Sequence, residues 1–135
     1  MADWKLATAE ALSPLLSNFR RIDGQIVRTV RRVYDEGCLA RVILDFDQVS
    51  LTIEARPEDD TVEIRTEEIT SIAKTGIDAG KSQPWCSFMG KPFGWGWATI
   101  NQQGYCDGVL LSFGGITPQL MLNVVASSID EIKLG

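Results

Sequence analysis

Two rhythms of apolar residues divide the chain. Leu6, Ala9, Leu12, Leu15, Leu16 and Phe19 recur at three- and four-residue steps, the spacing of one helix face. Pro14 lacks a backbone donor and interrupts any single helix over this stretch. The pattern therefore predicts a helix that starts near Ser13, with serine as N-cap and Pro14 in the first turn, and that ends before Gly24. The next stretch reads two ways. Ile22, Ile26, Val30 and Val33 keep a helical spacing, but Gly24 interrupts it, and the β-branched run Ile26-Val27, Thr29-Val30 and Val33 favours a strand. With Asp35-Glu36-Gly37 as a turn, a hairpin is predicted here.

From Val42 onward the period is two. Val42, Leu44 and Phe46 alternate with Asp45 and Asp47, and Leu51 and Ile53 alternate with Ser50, Thr52 and Glu54. Past the turn Pro57-Glu-Asp-Asp60, Val62 and Ile64 alternate with Thr61, Glu63 and Arg65. Between 66 and 92 the pattern dissolves, except for a short helix predicted over 83–89, where Ser82 is placed to cap and Pro84 falls in the first turn. Strands return over 94–101, 105–113 and 118–126, joined by Asn101-Gln-Gln-Gly104 and Gly114-Gly115. The sum is a mainly β (α+β) fold of about seven strands, an antiparallel sheet either curved or two-layer, with an N-terminal helix and one short middle helix. The predicted core is Leu44, Phe46, Leu51, Ile53, Val109, Leu111 and Phe113, with the helix closing one end.

Length adds the domain count. At 135 residues the chain is one domain's worth, large enough to bury its own core. No linker, repeat or low-complexity tract divides it, so 1–135 reads as one globular domain, a helical segment over 1–21 and a β-rich body over 22–135.

Charge and residue inventory remove function classes. Thirteen Lys and Arg against 18 Asp and Glu leave a net charge of −5, so no nucleic-acid partner is expected of a chain without a concentrated positive field. The sequence has no histidine, which removes Ser-His and Cys-His nucleophile pairs and imidazole bases. Cys38, Cys86 and Cys106 are odd in number and lack CxxC spacing, so buried free thiols are expected, although the spacing also allows a Cys86 to Cys106 bridge. No charged leader and no apolar run of membrane length is present, which predicts a cytoplasmic protein with no membrane partner. No cofactor and no metal site is predicted.

Four constellations invite chemical readings. Gly76-Ile-Asp-Ala-Gly80-Lys81-Ser82 is one residue short of a phosphate-cradling loop, and Pro84 would disturb the helix that must follow, so a plain polar loop is the better reading. Asp45 and Asp47 share a strand face and could offer two carboxylates to a cation, but two oxygens are fewer than a hard cation requires. Arg20, Arg21, Arg28, Arg31, Arg32 and Arg41 cluster in the first third, where pairing with Asp23, Asp35, Glu36 and Asp45 is favoured over an anionic ligand. On a regular strand Phe93, Trp95 and Trp97 would line one face, with Gly94, Gly96 and Ala98 leaving the other bare. Such rings usually fill a core. Read functionally, Trp85, Trp95 and Trp97 form a stacking platform edged by Asn101, Gln102, Gln103 and Asp107.

The run Trp95-Gly-Trp97, then Asn101-Gln-Gln-Gly104-Tyr105-Cys-Asp107-Gly108 and an apolar strand, resembles a family of small bacterial proteins of unknown function. The stretch Ile43-Leu-Asp-Phe-Asp47 to Ser50-Leu-Thr-Ile53 is similar to the first half of the same family, so the resemblance covers 22–128 and omits the initial helix. It implies a bacterial, single-domain, strand-rich fold and carries over no activity, cofactor or catalytic residue. Small acidic proteins of this kind are also similar to some toxin-neutralising immunity proteins. The sequence thus favours a non-enzymatic protein-interaction module with an unknown protein partner, a second copy of the chain being one candidate. The alternative is a small-ligand binder or carboxylate-based hydrolase with a Trp-lined site.

Overall fold

The structure, a computed structural model, describes residues 9–69 and 75–134. Helix α1 (Ala9–Arg21) precedes the strands β1 (Thr29–Asp35), β2 (Cys38–Asp45), β3 (Val49–Arg56), β4 (Thr61–Glu68) and β5 (Ile77–Asp78). A 3-10 turn at Trp85–Ser87 leads into β6 (Phe93–Ile100), β7 (Cys106–Phe113), β8 (Leu120–Val125) and β9 (Ser128–Lys133). The strands form two antiparallel sheets, β4-β3-β2-β1-β5 and β6-β7-β8-β9. The mainly β antiparallel prediction holds in its two-layer form.

The alternation of two explains how each sheet buries one face. Val42 and Leu44 on β2 stand beside Leu51 and Ile53 on β3 and Val62 and Ile64 on β4, while Val109, Leu111, Leu120 and Leu122 come from the second sheet. All belong to one hydrophobic cluster, as do Phe46 and Phe113, so all seven residues predicted as core are buried. The two layers are also tied by charge. Arg32 on β1 pairs with Glu131 on β9 at 2.7 Å, and the other oxygen of Glu131 accepts the indole N–H of the fully buried Trp85 at 2.7 Å.

Several local predictions are corrected. The structure has nine strands among the described residues rather than about seven. The predicted strand over 118–126 is one arm of a tight hairpin, with Val125 opposite Ser128 and both Ala126 and Ser127 at positive φ. Neither turn residue is a glycine, so the turn carries none of the usual sequence signal. Pro14 lies inside α1 rather than at its start. The helix forfeits one backbone bond there, and the burial of Leu12, Leu15, Leu16 and Phe19 against the core outweighs it. The middle helix over 83–89 is only the three-residue 3-10 turn, preceded by a cis Gln83–Pro84 bond. Ile26 lies outside β1 and forms an isolated bridge with Pro92. Leu6 lies outside the described residues.

α1 crosses the open side between the sheets, in contact with β4 and β6. On β4 it covers a sheet edge: the Asn18 amide donates to the Ile64 carbonyl at 3.1 Å, and Arg21 reaches the Thr66 hydroxyl at 3.2 Å. On β6 the helix meets glycine instead of side chains.

Candidate functional site

The β6 strand is irregular, and its irregularity sets the surface. Phe93 pairs with Phe113 and Gly96 with Leu111, so three residues of β6 advance against two of β7. That extra residue is a β-bulge, which reverses the facing of everything after it. Phe93 remains buried and packs in the core with Phe19 and Phe113, whereas Trp95 and Trp97 turn outward. The expectation that Phe93, Trp95 and Trp97 share a face, and that the rings are core, is therefore corrected for the two tryptophans. Ser112 holds the bulge: its hydroxyl accepts the Trp95 N–H at 3.0 Å and donates to the Gly115 carbonyl at 2.6 Å.

Outside the core the register builds a row. Trp97 lies opposite Leu110, Leu110 opposite Met121, and Met121 opposite Ile132. These four side chains cross all four strands on the outer face, and none belongs to the core cluster. Trp95, 55% exposed, stacks on Trp97 with ring centres 6.4 Å apart. The adjoining row is polar: Thr99, Gly108, Asn123 and Asp130 are paired in turn, and Asp107 accepts a hydrogen bond from the Thr99 hydroxyl at 3.3 Å. Gly108 leaves no room for a side chain, since a Cβ there would meet the Leu122 carbonyl and the Thr99 hydroxyl at 2.7 Å.

The outer face of the first sheet is different in kind. Ion pairs dominate it, Arg31 with Asp45 at 2.9 Å and Arg65 with both Glu54 and Glu67, and Ile43 between Arg31 and Thr52 is buried. Such a face is at ease in water. The apolar row on the second sheet is not, which makes it the candidate site.

The residues singled out in the sequence fall into three groups. Trp95 and Trp97 are brought together on the row, and Asp107 borders it. Asn101, Gln102 and Gln103 form the β6–β7 turn, where the Asn101 side chain accepts the backbone N–H groups of Gln103 and Tyr105. Trp85 is separated from all of them by its complete burial. Leu110, Met121 and Ile132 escaped sequence reasoning: alternation with Val109 and Leu111 turns Leu110 outward, but only cross-strand register lines it up with Met121 and Ile132.

The other constellations resolve into structure. Asp45 is buried beside Arg31 and the Thr29 hydroxyl, whereas Asp47 is exposed and pairs with Arg28 at 2.7 Å, a hydrogen bond that holds its carboxyl below the usual range. The two carboxylates thus do not converge. Ile77 and Asp78 form a short edge strand beside β1, and Asp78 accepts the Gly80 N–H at 2.8 Å. All three cysteines are free thiols; Cys86 is exposed and Cys38 only half-buried, correcting their expected burial, and burial pushes the Cys106 thiol up.

No curated protein and no solved structure matches the chain. A family model does match, over residues 13–134, taking in both the β-rich body and most of α1, which the resemblance seen in the sequence omits. The chain belongs to the family of unknown function DUF6334.

Proposed function

We propose that the protein is a non-enzymatic protein-interaction module whose contact surface is the outer face of the second sheet. The observation that carries this reading is the row Trp97, Leu110, Met121 and Ile132 with Trp95 stacked at its end. A partner that covers it removes apolar surface from water, and tryptophan is the residue type most often central to such contacts. Asp107 and Asp130 border the row without an ion-pair partner among the described residues, which suits a partner with basic groups beside an apolar patch and disfavours face-to-face pairing of two copies. A bacterial cytoplasmic setting belongs to the same proposal.

The test is a comparison of two tagged forms purified from the native host at moderate salt. The wild-type chain should recover one stoichiometric partner, and a Leu110→Ser, Met121→Ser double variant that keeps its cooperative thermal unfolding should recover none. Retention of the partner by the double variant, or repeated recovery of nothing by the wild type, overturns the proposal.

A further inference from the structure

A cleft lies at the junction of α1 and β6, and its walls follow from the glycines of that strand. Phe19 on the helix and Phe93 on the strand stack with ring centres 5.8 Å apart and form the floor, with Leu16 on one side and the exposed Trp95 on the other. Because residues 94 and 96 have no side chains, the strand backbone itself lines part of the wall. β6 is the end strand of its sheet, so from Gly94 to Gly96 the edge turned away from β7 has no strand neighbour. The cleft opens to solvent and has a volume of about 600 Å³, within the range of sites that hold small molecules.

Among the described residues two charged side chains line this cleft, Arg20 at the end of α1 and Asp23 in the turn that follows. Both are exposed, and neither side chain has a hydrogen bond or ion pair among the described residues. They contrast with Arg28, Arg31, Arg32 and Arg65, each of which is paired to a carboxylate. The arrangement selects by charge. A simple anion drawn to Arg20 is repelled by Asp23, and a simple cation drawn to Asp23 is repelled by Arg20. A molecule carrying both charges satisfies both, while the aromatic floor and Trp95 favour a flat apolar body.

We propose that the cleft between α1 and β6 binds a zwitterion with a flat apolar body, the chemistry of an aromatic α-amino acid. In this arrangement the Arg20 guanidinium donates to the carboxylate, the Asp23 carboxylate accepts from the ammonium, and the ring lies against Phe19, Phe93 and Trp95. The proposal goes beyond the protein-interaction reading and does not depend on it: the two sites share Trp95, but this one rests on Arg20 and Asp23 rather than on Leu110 and Met121.

The test uses L-phenylalanine as probe, with 3-phenylpropanoate lacking the ammonium and 2-phenylethylamine lacking the carboxylate, read by amide NMR shifts of Gly94 and Gly96. L-Phenylalanine should give a saturable one-to-one response, and each analogue should bind roughly tenfold more weakly, the effect of losing one charge-assisted hydrogen bond. Arg20→Gln should weaken L-phenylalanine by about the same factor and leave 2-phenylethylamine unchanged or tighter. Asp23→Asn should do the same with 3-phenylpropanoate in place of the amine. Both side chains are exposed, so both variants should keep the wild-type melting temperature. The proposal is overturned if L-phenylalanine raised to about 10 mM, beyond weak millimolar binding, shifts neither glycine. It is equally overturned if the three probes bind alike or if the two variants leave their ranking unchanged. The Leu110→Ser, Met121→Ser form should bind L-phenylalanine as the wild type does, so loss of the partner surface and loss of the cleft are separately visible.

Discussion

The Phe19 ring of α1 lies so close to Gly96 of β6 that a Cβ at residue 96 would stand 2.4 Å from it. The absence of a side chain is what lets the helix approach the strand. Gly96→Ala should destabilise the protein by about 1 to 3 kcal/mol through overpacking, and Phe19→Leu in the same chain should recover part of that loss. Urea unfolding of the two single variants and the double variant measures the coupling; strict additivity would remove the claim.

Glu131 stands between the sheets and serves two partners, Arg32 and the Trp85 indole. Its side chain is 10% exposed and that of its partner Arg32 is 17% exposed. Glu131→Ala leaves the Trp85 indole N–H without its acceptor and the Arg32 guanidinium without its counter-ion, with only the Gln83 carbonyl still accepting from it, and should cost about 3 to 5 kcal/mol. Glu131→Gln retains an acceptor for the indole and should cost less. The measurement is chemical denaturation followed through tryptophan emission, and equal losses for the two variants would contradict the argument.

The two faces of the second sheet should respond unequally to truncation. Leu111→Ala and Leu122→Ala remove buried side chains and should each cost about 2 to 5 kcal/mol. Leu110→Ser and Met121→Ser, half-buried on the outer row, should each cost less, about 1 kcal/mol or under. Melting temperatures of the four variants decide whether the outward facing of the row is correct.

Cys106 links stability to alkaline pH. Burial raises its folded thiol above the value in the unfolded chain, so the stabilising effect is fully present below the unfolded value and is lost as pH rises through the folded one. Between about pH 8 and pH 10 the wild type should therefore lose more stability than Cys106→Ala. In the native protein a thiol reagent should label the exposed Cys86 first and Cys106 last.

Much of the first sheet was legible because its signal is local. Val42, Leu44, Leu51, Ile53, Val62 and Ile64 alternate with polar neighbours, and one buried face suffices to orient each strand. The second sheet was harder to read. A single extra residue between Phe93 and Gly96 moves Trp95 and Trp97 from the core side to the solvent side, and nothing in composition marks a bulge. Pro14 misled for the opposite reason: a strong local preference yielded to packing elsewhere on the helix. Arg20 and Asp23 were noted only as members of a charge cluster, since their joint position above the Phe19 and Phe93 rings is a product of tertiary structure.

The bonds from Asn18 and Arg21 to the Ile64 carbonyl and the Thr66 side chain make α1 a guard on the rim of β4. Strip that guard and the main-chain groups at Ile64 and Thr66 join the rest of an outermost strand that any extended polypeptide can pair with, including the same strand of a sister molecule. A chain beginning after Arg21, with that rim open and the core under Phe19 uncovered, should accordingly self-associate, so the helix also keeps the molecules apart.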